Sequence, residues 1–318
     1  MSLLESKGGS PATRVRRLTV LRTGALGDLV LTLPTVAALR SAFPGIPLRL
    51  IGRPAMACLV RPEQFLDADS ACLVALYGPE PTGPEACGLF TPGDAVLAYI
   101  ADAGQTVCRR LEPLVDGPLA VHDPRPPAGF TAHVTDYLAL AVEGLGIPVP
   151  DRIPRVQLPP AQVEGGRAYW SGQGTAGPAV AIHPGSGGRR KCWPLSRFCE
   201  LAERLLSRGA RVLLLQGPVE QEQGQPLPPS LPCASPPTLT ELGGLLAASD
   251  LFIGNDSGPG HLAAALGMPT LSLFGPTDPR LWRPRSPRAR VLRAPGGRLS
   301  AVSVDSVEQD ALRILEGS

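Results

Sequence analysis

Residues 250–279 read DLFIGNDSGPGHLAAALGMPTLSLFGPTDP, and this stretch determines the predicted fold. Residues 251–253 form a short apolar run that indicates a buried strand, and 254–258 are turn-forming and helix-capping types. The small apolar residues 262–266 indicate a helix, and 270–274 indicate a second strand. Strand, tight turn, helix and strand make a βαβ unit, whose turn lies at the carboxyl edge of a parallel sheet.

The turn of this unit carries residues that point to a ligand. Backbone N–H groups at the start of the helix point outward at the sheet edge and favour an anion such as phosphate. The Asp256 carboxylate cannot bind phosphate itself, but it could orient donors or accept hydrogen bonds from sugar hydroxyls. His261 lies one turn into the predicted helix and faces the same edge. Asp and Ser before a helix are also ordinary N-caps, so this window alone leaves both readings open.

Length and composition limit the class of protein. A chain of 318 residues is long enough for two domains, each with its own core. A hydrophobic share of 43% and a charged share of 18% indicate a globular protein. An aromatic share of 4% and a net charge of +2 disfavour a nucleic-acid surface, so we expect no nucleic-acid partner.

The cysteines and the termini indicate a cytoplasmic protein. The seven cysteines contain no C-x-x-C pair, which favours reduced core residues over a disulfide framework or a zinc site. Residues 1–13 lack an apolar segment, and we expect a flexible leader there rather than a signal peptide. No apolar run of about 20 residues is present, so no membrane span is predicted.

A second glycine-rich turn follows the first predicted strand, residues 18–21, and reads RTGALGD over 22–28. Gly24 and Gly27 allow a sharp bend and a close approach by a ligand. The Gly-x-Gly-x-x-Gly spacing is absent here, which disfavours a nicotinamide enzyme. Asp28 has two readings: an acid that interacts with the helix dipole, or a general base for a hydroxyl within hydrogen-bond reach.

A third glycine-rich segment, 183–194, reads HPGSGGRRKCWP and follows a predicted strand at 179–182. Ser186 and Gly187 lie in its flexible loop, beside three adjacent cations. Lys191 stands out because only two of the 30 basic residues in the chain are lysines. Cations beside such a loop are suited to neutralise a departing diphosphate. The alternative is a solvated cluster of surface cations.

Four motifs together resemble those of glycosyltransferase family 9, the ADP-heptose:lipopolysaccharide heptosyltransferases and their relatives. They are RTGALGD at 22–28, HPG…KCWP at 183–194, DSGPGH at 256–261 and FGPTDP at 274–279. They occur in the order typical of the family. Two positions depart from its pattern: Ser257 stands where threonine is common, and Gly260 replaces a bulkier residue.

The resemblance implies an α/β protein with the GT-B arrangement, in which two Rossmann-like doubly wound domains face each other across a cleft. We expect residues 14–172 to form an N-terminal acceptor-binding domain. Residues 173–318 are expected to form the C-terminal nucleotide-sugar-binding domain. The final helix, predicted at 305–315, is expected to cross back to the first domain.

The resemblance also implies an inverting, metal-independent transfer of a heptose from ADP-heptose to a lipopolysaccharide-core-type acceptor, without a cofactor. Asp28 is then the catalytic base, and Lys191 contacts the donor phosphates during catalysis. Glu220 holds the ribose, with Glu222 as the alternative. The other implied donor contacts are Ser186, Gly187, Asp256, Ser257, Gly258 and His261, and the implied acceptor-side loop is Thr23, Gly24, Ala25 and Gly27.

Two other functions stay open at this point. One is a transferase of the same fold that uses another nucleotide sugar or another acceptor. The other is a non-catalytic nucleotide-sugar-binding module, which would not need Asp28. A nucleotide-sugar epimerase is disfavoured because its Tyr-x-x-x-Lys pair is absent. The expected partners are the nucleotide-sugar donor and a lipid-linked or core oligosaccharide acceptor. We expect a bacterial cytoplasmic monomer, and peripheral contact with the inner face of the cell membrane is compatible with this expectation.

Overall fold

A computed structural model of the chain describes residues 15–70, 76, 89–174, 176–217, 220 and 227–317. The chain divides into two compact units. The first comprises Met1–Gly24, Thr32–Phe130 and Val134–Arg152, and the second comprises Ala25–Leu31, Thr131–His133 and Ile153–Ser318. The predicted leader, residues 1–13, lies outside the described residues.

The first unit is built on a parallel sheet of five strands. These are β1 (Arg17–Arg22), β2 (Leu48–Gly52), β3 (Gln64–Asp67), β4 (Asp94–Tyr99) and β5 (Leu119–His122), in the spatial order β3-β2-β1-β4-β5. Its helices are α1 (Leu26–Ala42), whose first residues belong to the second unit, α2 (Ala57–Val60), α3 (Thr106–Leu111) and α4 (Val134–Glu143). The central strands are buried, as expected for apolar strands of a parallel sheet that is covered on both faces.

A buried ion cluster lies at the amino-terminal end of this sheet. Asp94 is fully buried, and its two carboxylate oxygens accept hydrogen bonds from Nε (2.6 Å) and Nη2 (2.8 Å) of Arg17. Its Oδ2 also accepts the Thr91 N–H at 2.8 Å and lies 3.7 Å from Nη2 of Arg49. Burial and the charge of Arg17 lower the pKa of Arg49 to about 10. The cluster therefore connects the starts of β1, β2 and β4.

The second unit is built on a parallel sheet of six strands. These are β6 (Ala179–His183), β7 (Arg211–Leu215), β8 (Cys233–Ala234), β9 (Leu251–Asn255), β10 (Thr270–Phe274) and β11 (Ala289–Arg293), in the order β11-β10-β9-β6-β7-β8. Its helices are α5 (Pro160–Ser171), α6 (Leu195–Ser207), α7 (Leu239–Ala247), α8 (Gly258–Ala265), α9 (Pro279–Trp282) and α10 (Val304–Glu316). No described helix of either unit is long and apolar enough to cross a membrane.

The stretch that decided the predicted fold forms the βαβ unit expected of it. β9 and β10 are parallel neighbours, and every residue in both is buried. α8 begins at Gly258 rather than at 262, because Ser257 takes an extended conformation (φ −154°) and Pro259 suits the first turn of a helix. His261 consequently lies in the first turn of α8.

Helix α5 belongs to the second unit, although the predicted domain boundary lay after residue 172. The units divide after Arg152 instead. α5 and α7 approach each other backbone to backbone: a Cβ added to Gly166 would lie 1.9 Å from the carbonyl oxygen of Gly244. A Cβ added to Gly244 would lie 2.3 Å from the carbonyl oxygen of Gln162. This contact fixes α5 to the second unit.

The last helix, α10, packs within the second unit, and the expectation that it crosses back to the first domain is wrong. Val307 and Ala311 belong to the apolar core that also contains residues of β6, β7 and β9. Glu308 accepts hydrogen bonds from Arg204 (3.0 Å) and Arg208 (2.8 Å), both at the end of α6. Burial alone would raise the pKa of Glu308, but these two guanidinium groups lower it.

Candidate functional site

The carboxyl ends of β6 and β9 lie side by side, with His183 paired to Gly254. This register brings the HPG…KCWP and DSGPGH segments together. The buried side chain of Asn255 joins them, because its Nδ2 donates to the Pro184 carbonyl at 2.7 Å and its Oδ1 accepts the Trp193 N–H at 2.9 Å. Asn255 was not identified from the sequence, although an amide at the end of a buried strand must find partners of this kind.

Asp256 holds the central polar contacts of this edge. Its Oδ2 accepts hydrogen bonds from Nζ of Lys191 at 2.9 Å and from Oγ1 of Thr277 at 2.8 Å. Its backbone carbonyl accepts the Ser186 hydroxyl at 2.7 Å. The Asp256 side chain is 7% exposed and the Lys191 side chain 37%, so the ammonium group reaches solvent while the carboxylate is enclosed. Three predicted donor contacts therefore meet here, and Thr277, in the FGPTDP motif, adds a fourth.

The start of α8 offers hydrogen-bond donors beside this group. Ser257 occupies the N-cap position without a side-chain capping bond. Its hydroxyl is buried and has no hydrogen-bond partner among the described atoms. Gly258 follows as the first helical residue. An anion at this helix start would meet the hydroxyl and the outward N–H groups of the first turn.

His261 is a buried imidazole next to these groups. Burial lowers the pKa of His261 to about 4; His133 and Lys191 add to this shift, and Asp256 and Asp28 oppose it. The ring is therefore neutral near pH 7. A neutral imidazole has one N–H donor and one acceptor nitrogen, which suits contact with a hydroxyl group.

Asp28 is half-buried in the first turn of α1, in the part of that helix that belongs to the second unit. Its Oδ2 accepts the Ala25 N–H at 2.8 Å, so the helix-start interaction is present. A Cβ added to Gly27 would lie 3.1 Å from Cδ2 of His261, which places this helix start against the imidazole. The role of Asp28 as a base stays a prediction.

The remaining residues of the predicted acceptor-side loop are divided by the two units. Thr23 and Gly24 belong to the first unit, whereas Ala25 and Gly27 belong to the second. In the first unit, the Thr23 carbonyl accepts Nε of Arg53 at 3.3 Å. The boundary between the units therefore falls within this loop, and its acceptor-side role stays a prediction.

The carboxylate of Glu220 makes its contacts within the protein. Its Oε2 accepts the Gly217 N–H at 2.9 Å and lies 3.6 Å from Nε2 of His183. A Cβ added to Gly185 would lie 1.9 Å from its Oε1, so the carboxylate packs tightly on this turn. Burial alone would raise the pKa of Glu220, but the neighbouring His183 and the Gly217 N–H lower it. Glu222, the alternative ribose ligand, lies outside the described residues.

Two further features complete the site. Gly187 is exposed in the loop after β6, and Arg189 and Arg190 are exposed in the short helical turn that ends at Lys191. In the part of the chain that the structure describes, no group of three or more His, Cys, Asp and Glu side chains is arranged to hold a metal ion.

Comparisons with known proteins match this region. The model of glycosyltransferase family 9 (heptosyltransferase) matches residues 118–311. A lipopolysaccharide heptosyltransferase 3 from Escherichia coli is 37% identical over 139 residues. That alignment covers 41% of this chain and 41% of the relative, so the chain matches less than half of the relative's length.

Two solved structures extend the comparison to the fold. A family 9 glycosyltransferase from Veillonella parvula superposes with a TM-score of 0.77 and 20% identity, over 97% of this chain and 100% of its own. The ADP-heptose lipopolysaccharide heptosyltransferase II from E. coli has a TM-score of 0.73 and 18% identity, over 95% and 99%. The predicted fold class, α/β with two Rossmann-like domains of the GT-B type, is confirmed.

Proposed function

The chain belongs to glycosyltransferase family 9, and on that premise we propose that it transfers a heptose from ADP-heptose to a lipopolysaccharide-core-type acceptor. The relatives' names support both substrates, since one is a lipopolysaccharide heptosyltransferase and another an ADP-heptose heptosyltransferase. A further similar E. coli heptosyltransferase structure contains ADP. We assign donor binding to the second unit and acceptor binding to the first, in a cytoplasmic monomer.

The observation that carries the proposal is the contact between Lys191 and Asp256. An ammonium group has three N–H donors, and the enclosed carboxylate of Asp256 takes one of them. The half-exposed position of Lys191 leaves its charge accessible from solvent. We assign the donor diphosphate to this ammonium, to the Ser257 hydroxyl and to the N–H groups at the start of α8.

In this proposal, negative charge grows beside these groups as ADP departs. A fixed cation and oriented N–H donors stabilise such charge in the transition state, and we propose that they do so without a metal ion. Ser186 and Gly187 would line the same loop, and Glu220 would hold the ribose diol through its ionised carboxylate. Neutral His261 would hydrogen-bond a sugar hydroxyl.

Asp28 is the proposed general base. The acceptor hydroxyl would transfer its proton to the Asp28 carboxylate while its oxygen forms a bond to the anomeric carbon. The bond from that carbon to the diphosphate oxygen would break on the opposite face, with the electron pair leaving on ADP, so the configuration inverts. The hydrogen bond from Ala25 holds the carboxylate in one orientation, and the helix start packs on His261. Thr23, Gly24, Ala25 and Gly27 are the proposed acceptor-side neighbours.

A thermal-shift panel of ADP-, UDP-, GDP- and CDP-sugars, together with turnover assays, tests the proposal. We expect ADP-heptose alone to raise the Tm of the wild type, of Asp28→Asn and of Asp28→Ala. Turnover should fall about 10²- to 10⁴-fold in both variants, because general-base catalysis contributes a factor of this size. Asn at 28 keeps an oxygen acceptor for the Ala25 N–H, so it controls for loss of the helix-start contact.

Three outcomes contradict parts of this proposal. Stabilisation by a different nucleotide sugar would reject the heptose donor while the transferase assignment stands. Wild-type turnover in Asp28→Asn would reject Asp28 as the base. The absence of a Tm shift with every nucleotide sugar would reject the donor site itself.

A further inference from the structure

Residues 279–298 form the most basic stretch of the chain. It contains seven arginines and no lysine, aspartate or glutamate. The whole chain has a formal net charge of +2, so the other residues together carry a net charge of −5. We call this stretch the arginine edge, and its arginines are Arg280, Arg283, Arg285, Arg288, Arg290, Arg293 and Arg298.

The arginine edge lies at one side of the second sheet. It contains α9 and β11, and β11 is the last strand in the sheet order, paired with β10. Six of the seven arginines are exposed, and Arg285 is half-buried. A single edge of the sheet therefore concentrates positive charge on the surface of a chain that is otherwise net negative.

Part of this charge is not neutralised within the described residues. Arg280 pairs with Asp278, with Nη2 2.7 Å from Oδ2. In the described ranges, the guanidinium groups of Arg283, Arg290 and Arg298 form no ion pair. These unpaired guanidinium groups are available to bind external anions.

A recess of about 530 Å³ indents the surface beside β11. Arg288 and Arg290 line one side of it, and Arg313, near the end of α10, lines the other. Asp310 also lines the recess and pairs with Arg313 at 3.2 Å, which leaves two more positive than negative side chains around it. Guanidinium groups bind phosphate oxygens in bidentate fashion, so the recess is suited to a phosphate-bearing group.

We propose that the arginine edge binds the phosphate groups of an anionic lipid bilayer. Several arginines on one surface attract anionic headgroups together, and the negative remainder of the chain would orient this edge toward the bilayer. Half-buried Leu281 and Trp282 lie among these arginines on α9, and tryptophan is typical of membrane–water interfaces. The choice of lipid over other polyanions rests on the proposed function, in which the acceptor is lipid-linked.

Exposed arginines on an edge strand have another use, since charge there prevents edge-to-edge pairing between molecules. That reading predicts no affinity of the wild type for lipid. The experiment below separates the two.

The test is co-sedimentation of the full chain with vesicles of phosphatidylcholine, with and without phosphatidylglycerol. The edge variant is Arg288→Glu/Arg290→Glu/Arg293→Glu. The matched control, Arg16→Glu/Arg125→Glu/Arg167→Glu, changes the net charge equally at three arginines elsewhere. We expect the wild type and the control to bind the anionic vesicles, and the edge variant to bind at least about 100-fold more weakly. Salt should weaken the wild-type binding.

Several results would overturn the proposal. These are equal binding by the edge variant, wild-type binding to pure phosphatidylcholine, and wild-type binding to duplex DNA at physiological salt without binding to vesicles. The absence of vesicle binding by the wild type would also overturn the proposal, and it would leave protection of the sheet edge as the role of these arginines.

The ADP-heptose Tm shift, measured on the same three proteins, separates this proposal from the proposed function. We expect the shift to be equal in all three, because the edge residues lie outside the donor contacts. Vesicle binding without any ADP-heptose shift would reject the proposed function and leave the arginine edge standing. An ADP-heptose shift without vesicle binding would reject only the proposed role of the arginine edge.

Discussion

Two buried carboxylates of this protein each bind a cationic side chain, but the two cations differ in their exposure to solvent. Asp94, at the amino-terminal end of the first sheet, is enclosed together with Arg49, whose side chain is only 8% exposed. Arg17 uses two N–H donors on the same carboxylate. Asp256, at the carboxyl end of the second sheet, is also buried, but its partner Lys191 remains 37% exposed.

The difference shows how similar chemistry serves two purposes. Around Asp94, burial and hydrogen bonds keep the cluster away from solvent, and the cluster aligns the starts of three strands. Around Asp256, the carboxylate fixes one end of a cation whose other donors face solvent. A buried acid that anchors an accessible cation therefore indicates a binding site better than a buried ion pair does.

The largest effect that tests this comparison is on stability. We expect Asp94→Asn to lower the free energy of unfolding by about 3–5 kcal/mol, because the buried Arg49 would be left uncompensated and the partly buried Arg17 would lose its ionic partner. Denaturant titration measures the loss. Asp256→Asn is the matched control and should lose less, because Lys191 can be solvated. Equal losses in the two variants would contradict the distinction.

The second test concerns pH and the imidazole beside Asp256. The pKa of His261 is about 4 in the folded protein, and about 6.5 is usual for an unfolded chain. Between these values the unfolded state binds more protons, so this contribution to stability is complete above pH 6.5 and is lost as the pH falls toward 4. Through this group, the free energy of unfolding changes by at most about 1.4 kcal/mol per pH unit.

His261→Gln should remove this component, which makes the variant less sensitive than the wild type between pH 6.5 and 4. Unfolding free energies of both proteins, measured at several pH values in that window, give the difference directly. Parallel curves would show that His261 does not resist protonation in the folded state.

The smallest effect sharpens the role of the accessible cation. Lys191→Arg keeps the charge but replaces a compact ammonium by a planar fork, so we expect turnover to fall about tenfold. Arg190→Lys, at the exposed neighbouring position, is the control and should retain wild-type turnover. Wild-type turnover in Lys191→Arg would contradict the proposed contact with the phosphates.

The sequence predicted the parts of the fold that depend on neighbouring residues. The β9–α8–β10 unit follows from an apolar run, a turn and a small-residue helix within one short segment. The motifs at 183–194 and 256–261 also predicted that Ser186, Lys191 and Asp256 all contact the donor, and the three residues meet at one edge of the sheet. These inferences succeed because strand ends of a parallel sheet share an edge.

Contacts between distant residues could not be predicted in the same way. Arg17 and Asp94 lie 77 positions apart, and nothing in either local pattern indicates their pairing. The packing of α10 on α6, which contradicted the expected crossing, depends on Glu308 meeting two arginines 100 and 104 positions away. Asn255 was missed for the same reason, since its partners are backbone groups of another loop.

The glycine contact between α5 and α7 has a consequence for mutational surveys of this protein. Gly166 and Gly244 leave no room for even a methyl group between the two helices. In a scan of single substitutions, both positions should therefore be as intolerant as the candidate catalytic residues, although neither contacts the Lys191–Asp256 site. If intolerance to substitution were the only criterion, these helices would be mistaken for part of the active site. A measurement of ligand binding would distinguish the packing glycines from the candidate catalytic residues.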